Sequence, residues 1–370
     1  MTQTVRRYVA ATVVVTVVAA VSAAFALGTA SRPAAAPGGV QVFAGPPLRT
    51  APPGVSHQAD ALAFFPRVTT ITAGQSVTFN VLGFHTVTFG KQSAFPLVVP
   101  QKGLQPATAD AAGQPLWWAG KAPLLGLNPK AVPQLGGSTI SSPSQVASSG
   151  LQRVLTASAK HPPKPYTLTF AKPGLYRFFC IVHPGMTGAI RVLPATATAP
   201  SPAQLESRVK AQLGRTIGDL KTIQSQNPTD PLTVWVGAGK LDGSEVTAFF
   251  PQRLVVKTGD TVKFVSHDPT DIHTVTFGPP AYTTGIENTF VTPKGVNPFG
   301  AFPSEPPAAP GAPVTFDGSN HGNGYVNSGL VNPYSVKATP HLFRVTFTKA
   351  GVYHFECVIH PNMDGTIVVQ

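Results

Sequence analysis

Apolar and polar positions alternate with period two in several short stretches of this chain, and recur at three- and four-residue spacing in one stretch only. Val40-Gln41-Val42-Phe43-Ala44-Gly45 opens the first run of alternation, and Val234-Trp235-Val236-Gly237-Ala238-Gly239 repeats it much later. Ala63-Phe64-Phe65-Pro66 followed by Val68, Thr70 and Thr72 has its counterpart in Ala248-Phe249-Phe250-Pro251 followed by Leu254 and Val256. Period two with β-branched and aromatic residues predicts half-buried strands. Ala73-Gly74-Gln75 and Thr258-Gly259-Asp260 predict turns, leading into Val77-Thr78-Phe79 and Val262-Lys263-Phe264. The exception lies between the repeats. Ser201-Pro202-Ala203-Gln204 has the form of an N-cap, a proline at the first helical position and a capping-box glutamine, and Leu205, Val209, Leu213, Ile217, Leu220 and Ile223 follow on one face. A helix of about six turns is predicted, stopping before Asn227-Pro228 and burying its apolar face as a semi-rigid strut.

The repetition sets the domain count. It predicts an N-terminal export segment and tether over 1–38, a first domain over 39–195, a helical linker over 196–232 and a second domain over 233–370. Only 11% of the residues are charged, while 39 Pro and 35 Gly point to many turns. That composition suits an all-β exported protein with few long helices.

At the N-terminus, Arg6-Arg7 precede an uncharged run from Tyr8 to Leu27 and then a Pro- and Ala-rich stretch. This predicts an extracytoplasmic protein, periplasmic, cell-surface or secreted. Either a cleaved signal peptide or an uncleaved membrane anchor fits a run of that length. Export invites disulfides, but the two Cys hold equivalent positions in separate repeats, and no disulfide is expected.

Those two Cys carry the chemistry. Cys180-Ile181-Val182-His183-Pro184-Gly185-Met186 and Cys357-Val358-Ile359-His360-Pro361-Asn362-Met363 both read C-x2-H-x2-M, and apart from Met1 they hold every Cys and Met of the chain. A second imidazole stands upstream of each in matching sequence, Phe84-His85-Thr86-Val87-Thr88-Phe89 and Ile272-His273-Thr274-Val275-Thr276-Phe277. The candidate ligand sets are His85, Cys180, His183, Met186 and His273, Cys357, His360, Met363. Thiolate, thioether and two imidazoles form a soft set that favours copper.

These stretches resemble the cupredoxins, the blue-copper proteins of plastocyanin, amicyanin and azurin type. The Gly-x-Tyr-x-Phe-x-Cys run appears as Gly174-Leu175-Tyr176-Arg177-Phe178-Phe179-Cys180 and as Gly351-Val352-Tyr353-His354-Phe355-Glu356-Cys357, and the two-residue gap between His and Met resembles amicyanin. The resemblance implies two Greek-key β-sandwich domains joined by a helical linker. It also implies a type 1 copper in each domain, axial Met186 and Met363, and one-electron transfer. Two alternatives stay open, an extracytoplasmic copper binding or delivery protein and a copper oxidoreductase such as a nitrite reductase or two-domain laccase. Against the enzyme, no His-x-His pair occurs and no His flanks either Cys.

Between upstream His and Cys each repeat carries a long insertion, roughly 91–149 and 278–328, rich in Pro, Gly and Ser. Trp117-Trp118 in the first, and Tyr282, Phe290, Phe299 and Phe302 in the second, are expected to dock these loops. Both end alike, at Ser149-Gly150-Leu151 and Ser328-Gly329-Leu330, which suggests a shared turn. The second repeat has three extra residues around His267-Asp268-Pro269, so its metal-facing loop is expected to differ. His267 itself is expected on a surface loop, His57, His161, His321 and His341 in solvent, and His354 facing away from the metal. The net charge of +12 is uneven: residues 56–195 hold eleven Lys and Arg against two Asp and Glu, and residues 238–370 eight against ten. Unidentified redox proteins are the expected partners, an acidic one docking on the first domain, with no nucleic-acid partner.

Overall fold

The computed structural model describes residues 39–48, 50–101, 109–120, 124–155, 163–183, 185–292, 295–306, 312–334, 337 and 340–370. The predicted export segment over 1–38 and His161 lie outside these. In the first half the strands are β1 Val40–Ala44, β2 Ala59–Ala61, β3 Phe64–Phe65, β4 Val68–Thr72, β5 Ser76–Val81, β6 Thr88–Phe89, β7 Val98–Gln101, β8 Leu124–Leu127, β9 Thr139–Ile140, β10 Ala147–Ser148, β11 Tyr166–Phe170, β12 Gly174–Phe179 and β13 Thr187–Leu193. In the second half they are β14 Thr233–Gly239, β15 Ser244–Phe250, β16 Arg253–Val256, β17 Thr261–His267, β18 Thr276–Phe277, β19 Val291–Thr292, β20 Gly295–Val296, β21 Val314–Phe316, β22 Val326–Asn327, β23 Leu342–Phe347, β24 Gly351–Glu356 and β25 Asp364–Val369.

Each half is a two-sheet sandwich, and the halves repeat each other. Sheets β3-β1-β5-β11-β9 and β10-β6-β12-β13-β4 enclose the first core; β15-β14-β17-β23-β21 and β16-β25-β24-β18-β22 enclose the second. Parallel pairs recur in equivalent places, β1 with β5 and β14 with β17, β13 with β4 and β16 with β25. The inward positions are mostly aromatic. Phe64 meets Phe178 edge-on with ring centres 4.6 Å apart, and Phe249 meets Phe355 at the same distance. Such pairs add to the hydrophobic gain from burying the rings.

The helix forms as predicted, over Pro202–Ile223. Ser201 Oγ accepts from the Gln204 amide and the Gln204 side chain accepts from the Ser201 amide. Its apolar face is shared between the sandwiches. Val209 and Leu213 pack with Phe43, Ala61, Ala63 and Phe65 of the first half. Leu220 and Ile223 pack mainly with Ala238, Val246, Ala248 and Phe250 of the second.

The sandwiches meet along a strand pair that the repeat pattern does not announce. Strand β2, from the first half, adds to the second half's sheet beside β15, with Ala59 opposite Val246, Asp60 opposite Glu245 and Ala61 opposite Ser244. The Phe-Phe-Pro repeat makes Asp60 and Glu245 equivalent residues, so equivalent segments pair antiparallel about their own midpoint. The flanking bonds obey the same symmetry: the Leu62 amide donates to Gly243 O at 2.7 Å, and the Thr247 amide to Gln58 O at 2.9 Å. This is the self-complementary geometry of a two-fold dimer, here built within one chain.

The insertions hold more structure than irregular loops. They contain the β7–β8 and β19–β20 hairpins, and β9, β10, β21 and β22 join the sandwich sheets. The aromatics dock, but across the two halves: Trp118 lies against Phe299 and Phe302, and Trp117 Nε1 donates to Pro303 O at 2.9 Å.

Candidate metal centres

In each half β12 or β24 delivers a cysteine at its end, and the next six residues turn back on it. The Cys180 amide donates to Met186 O at 2.9 Å and the Met186 amide to His183 O at 3.1 Å. The matching bonds at Cys357, Met363 and His360 are 2.9 and 3.2 Å. The upstream histidine is brought over by the segment leading into β6 or β18. Thr86 N donates to Cys180 Sγ and Thr274 N to Cys357 Sγ, both at 3.3 Å, while Ile181 N and Val358 N donate to the two threonine hydroxyls. The shared Ser-Gly-Leu turn braces that segment: Val87 N donates to Ser149 Oγ at 3.0 Å and Val275 N to Ser328 Oγ at 2.8 Å. Gly150 and Gly329 adopt φ of +73° and +66° there, with Pro133 and Pro303 occupying the space a side chain would need.

The outcome is two convergent donor triads. His85 Nδ1 lies 3.0 Å from His183 Nδ1, and Cys180 Sγ 3.6 Å from His183 Nδ1. In the second half His273 Nδ1 lies 3.0 Å from His360 Nδ1, and Cys357 Sγ 3.5 Å from His360 Nδ1. Three donors at these separations suit bonds of about 2.0–2.3 Å to one ion. All three donor atoms in each triad lie within 4.8 Å of one another. Met186 and Met363 are buried with their triads. Two imidazoles and a thiolate are soft donors of the kind copper prefers, so the residues present fit that metal.

The electrostatics match a thiolate facing imidazoles. Burial would raise the Cys180 thiol, but the hydrogen bond from His183, helped by His85, holds it well below the usual range. Burial likewise opposes the Cys357 thiolate, and the charge of His360 outweighs it. Burial would lower His273, yet its bond to Asp268 pushes it up to about 9.

The second half adds carboxylates on the far ring nitrogens. His273 Nε2 lies 3.4 Å from Asp268 Oδ2, and His360 Nε2 2.9 Å from Asp271 Oδ2. Such contacts fix the tautomer, leaving Nδ1 for the metal. Among the described residues no carboxylate lies at ion-pair distance from His85 or His183. Asp268 and Asp271 sit in the segment that the second repeat lengthens. Their signal in the sequence is acidic residues placed just before a ligand-type histidine in a charge-poor chain.

Several other histidines stand elsewhere than expected. His267 ends β17 and stacks on Trp235 at 3.8 Å, because the strand extends past the point where its first-half counterpart stops. His321 is held between Asp110 at 3.2 Å and Glu305 at 3.0 Å, and His341 Nδ1 bonds Asn332 O at 3.0 Å. Neither is a solvated group: His321 ties the two insertions together, and His341 holds the segment that follows the second. His57 is exposed, and His354 is exposed on the outer face of β24.

No family model and no curated protein matches the chain. Among solved structures it is similar to auracyanin A, a "blue" copper protein from Chloroflexus aurantiacus, at 20% identity over 37% of this chain and 96% of that one, with a TM-score of 0.25. It is also similar to amicyanin from Paracoccus versutus, at 18% identity over 40% of this chain and 89% of that one, TM-score 0.21. A third is plastocyanin from Dryopteris crassirhizoma, at 18% identity over 37% and 99%, TM-score 0.19. Each of the two sandwiches of this chain carries one His-Cys-His group.

Proposed function

We propose that this chain is an exported blue copper protein that carries single electrons, with one type 1 centre in each sandwich. The ligands would be His85, Cys180, His183 and Met186 in the first, and His273, Cys357, His360 and Met363 in the second. The observation that carries this reading is the pair of buried triads, each with a thiolate held against two imidazoles. Bound copper would supply a one-electron couple, and the geometry of such a set serves both oxidation states.

The chain's own residues do the rest. The Thr86 and Thr274 amides hold the sulfurs in place, and the closed Cys–Met loops fix each histidine relative to its cysteine. Ile181, Val182 and Val358 are buried beside the donors and keep water from them. With water excluded and the donors enclosed, substrate chemistry at the metal is disfavoured, which supports a carrier over an oxidase. An acidic redox partner docking on the first domain fits that domain's excess of Lys and Arg.

Copper titration of the full chain followed by optical and paramagnetic resonance spectra tests the reading. Two equivalents should bind with intense visible absorption and a reversible one-electron couple, and Cys180→Ser should remove one blue centre and leave the other. Copper binding without that band, or loss of both centres from one folded single variant, would refute it.

A further inference from the structure

In neither centre does a histidine reach bulk solvent directly. His85, His183, His273 and His360 are each 2% exposed or less. Their own loops do not achieve this alone, because both loops run into the other half of the molecule. Gly185, between His183 and Met186, lies against Thr270: a Cβ added there would stand 2.5 Å from Thr270 Cγ2. Asn362, between His360 and Met363, accepts a 2.6 Å hydrogen bond from Gln58 Nε2 through its carbonyl.

The seam between them is filled from both sides. Asp60 and Glu245 face each other on β2 and β15, and Thr270 Oγ1 donates to Glu245 Oε2 at 3.1 Å and to Asp268 Oδ1 at 2.9 Å. Asp271 Oδ2 lies 2.9 Å from His360 Nε2, and its charge also acts on His183 across the seam. The two-fold relation of β2 and β15 explains why both centres point inward: what faces the seam in one half faces it in the other.

We propose that the two centres are redox partners of each other, exchanging electrons within the molecule across this seam, through the loop that carries His183 and the Thr270–His273 segment with His360. The inference rests on the electron-carrier reading and names the partner of each site. With copper in both donor sets, the transfer would oxidise one and reduce the other, one electron for one, with no bond made or broken. Asp271 is a positioning residue here, holding the His360 ring across the seam.

The experiment uses the full chain loaded with two coppers, with Cys180→Ser and Cys357→Ser supplying the spectrum of each centre alone. A sub-stoichiometric pulse of a one-electron reductant should give a fast bimolecular phase, then redistribution between centres at a rate independent of protein concentration. That second phase should be absent from both single-centre variants. Gly185→Ala should slow it by wedging the loop off Thr270, and Gly185→Ala with Thr270→Ser, which removes the colliding methyl, should restore it. Independently of any transfer, the paramagnetic resonance spectrum of the doubly oxidised protein should show dipolar broadening that the summed single-variant spectra lack. Redistribution that scales with protein concentration, or spectra that simply add, would overturn the proposal. Absence of a blue band would instead defeat the electron-carrier reading beneath it.

Discussion

The amide two residues after each upstream histidine depends on one serine hydroxyl. Ser149 Oγ accepts from Val87 N, and Ser328 Oγ from Val275 N, in fully buried surroundings. Removing one hydroxyl leaves a buried donor unsatisfied, at a cost of about 1–3 kcal/mol. Ser149→Ala should lower the melting temperature and broaden the signal of the first copper centre only, and Ser328→Ala that of the second; equal effects on both centres would contradict the assignment. Asp271→Asn tests a different contribution. A carboxylate on the far nitrogen of His360 favours the more oxidised metal, so the neutral amide should raise the reduction potential of the second centre, read by redox titration in a Cys180→Ser background. The six histidines and cysteines that converge were legible because they recur as a fixed spacing of rare residue types. Asp60 and Glu245 were not, since isolated acidic residues in strands give no sign that a partner strand will bury them.

At the level of elements, alternation located β1, β4 and β5 and their counterparts β14, β16 and β17, and capping located the start of the linker helix. The insertions were opaque for a physical reason: two- to four-residue strands are too short for any period to register. Their docking is also held by a group that looked solvated. His321 bridges Glu305 of its own insertion and Asp110 of the other half, and these bonds raise its proton affinity above the ordinary histidine value. Asp110 is lowered: burial would raise it, and its hydrogen bonds, including that from His321, outweigh this. A raised histidine stabilises fully below its unfolded value, about 6.5, and its contribution disappears as pH rises through the folded value; the lowered Asp110 adds stability above about 3.8. The clamp should therefore hold best between roughly pH 4 and 6.5. Hydrogen exchange in segments 109–120 and 312–325 should quicken as pH rises to about 8 beyond the intrinsic pH effect, and His321→Asn should abolish that extra dependence. An unchanged profile in the variant would show that the clamp carries none of it.

Viewed whole, the molecule is a two-fold dimer connected by a helix, and its charge has to be judged after assembly. Glu245, Asp268 and Asp271 are three of the ten acidic residues counted in the second domain, and all are buried; Asp60, one of the two in the first, is half-buried opposite Glu245. The contrast of charge between domains is thus partly internal, and the outer surface of the second half is less acidic than its sequence implies. Strand β15 makes a further prediction. Cut at residue 233, the second half would expose this edge, and a bare edge strand seeks a partner. Residues 233–370 alone should self-associate, with a concentration-dependent sedimentation coefficient, whereas the full chain should not do so through this edge; a monodisperse monomeric fragment would argue that the β2–β15 pairing contributes little.

That pairing also imposes an order of events during synthesis. Strand β2 leaves the ribosome about 180 residues before the strand it joins, an interval of about 10–40 s at ordinary rates of elongation, about 5–20 residues per second. The loop from Cys180 to Met186 emerges late in that interval and lacks the wall that Thr270 later supplies for 84 residues more, 186 to 270, about 4–17 s at the same rates. The first metal site therefore has a period of open access that the second never has, because the second completes itself only when residues 357–363 emerge and the opposing half is already waiting. Wherever the chain folds as it emerges, access to the two donor triads is in this way staggered by the order of the polypeptide itself.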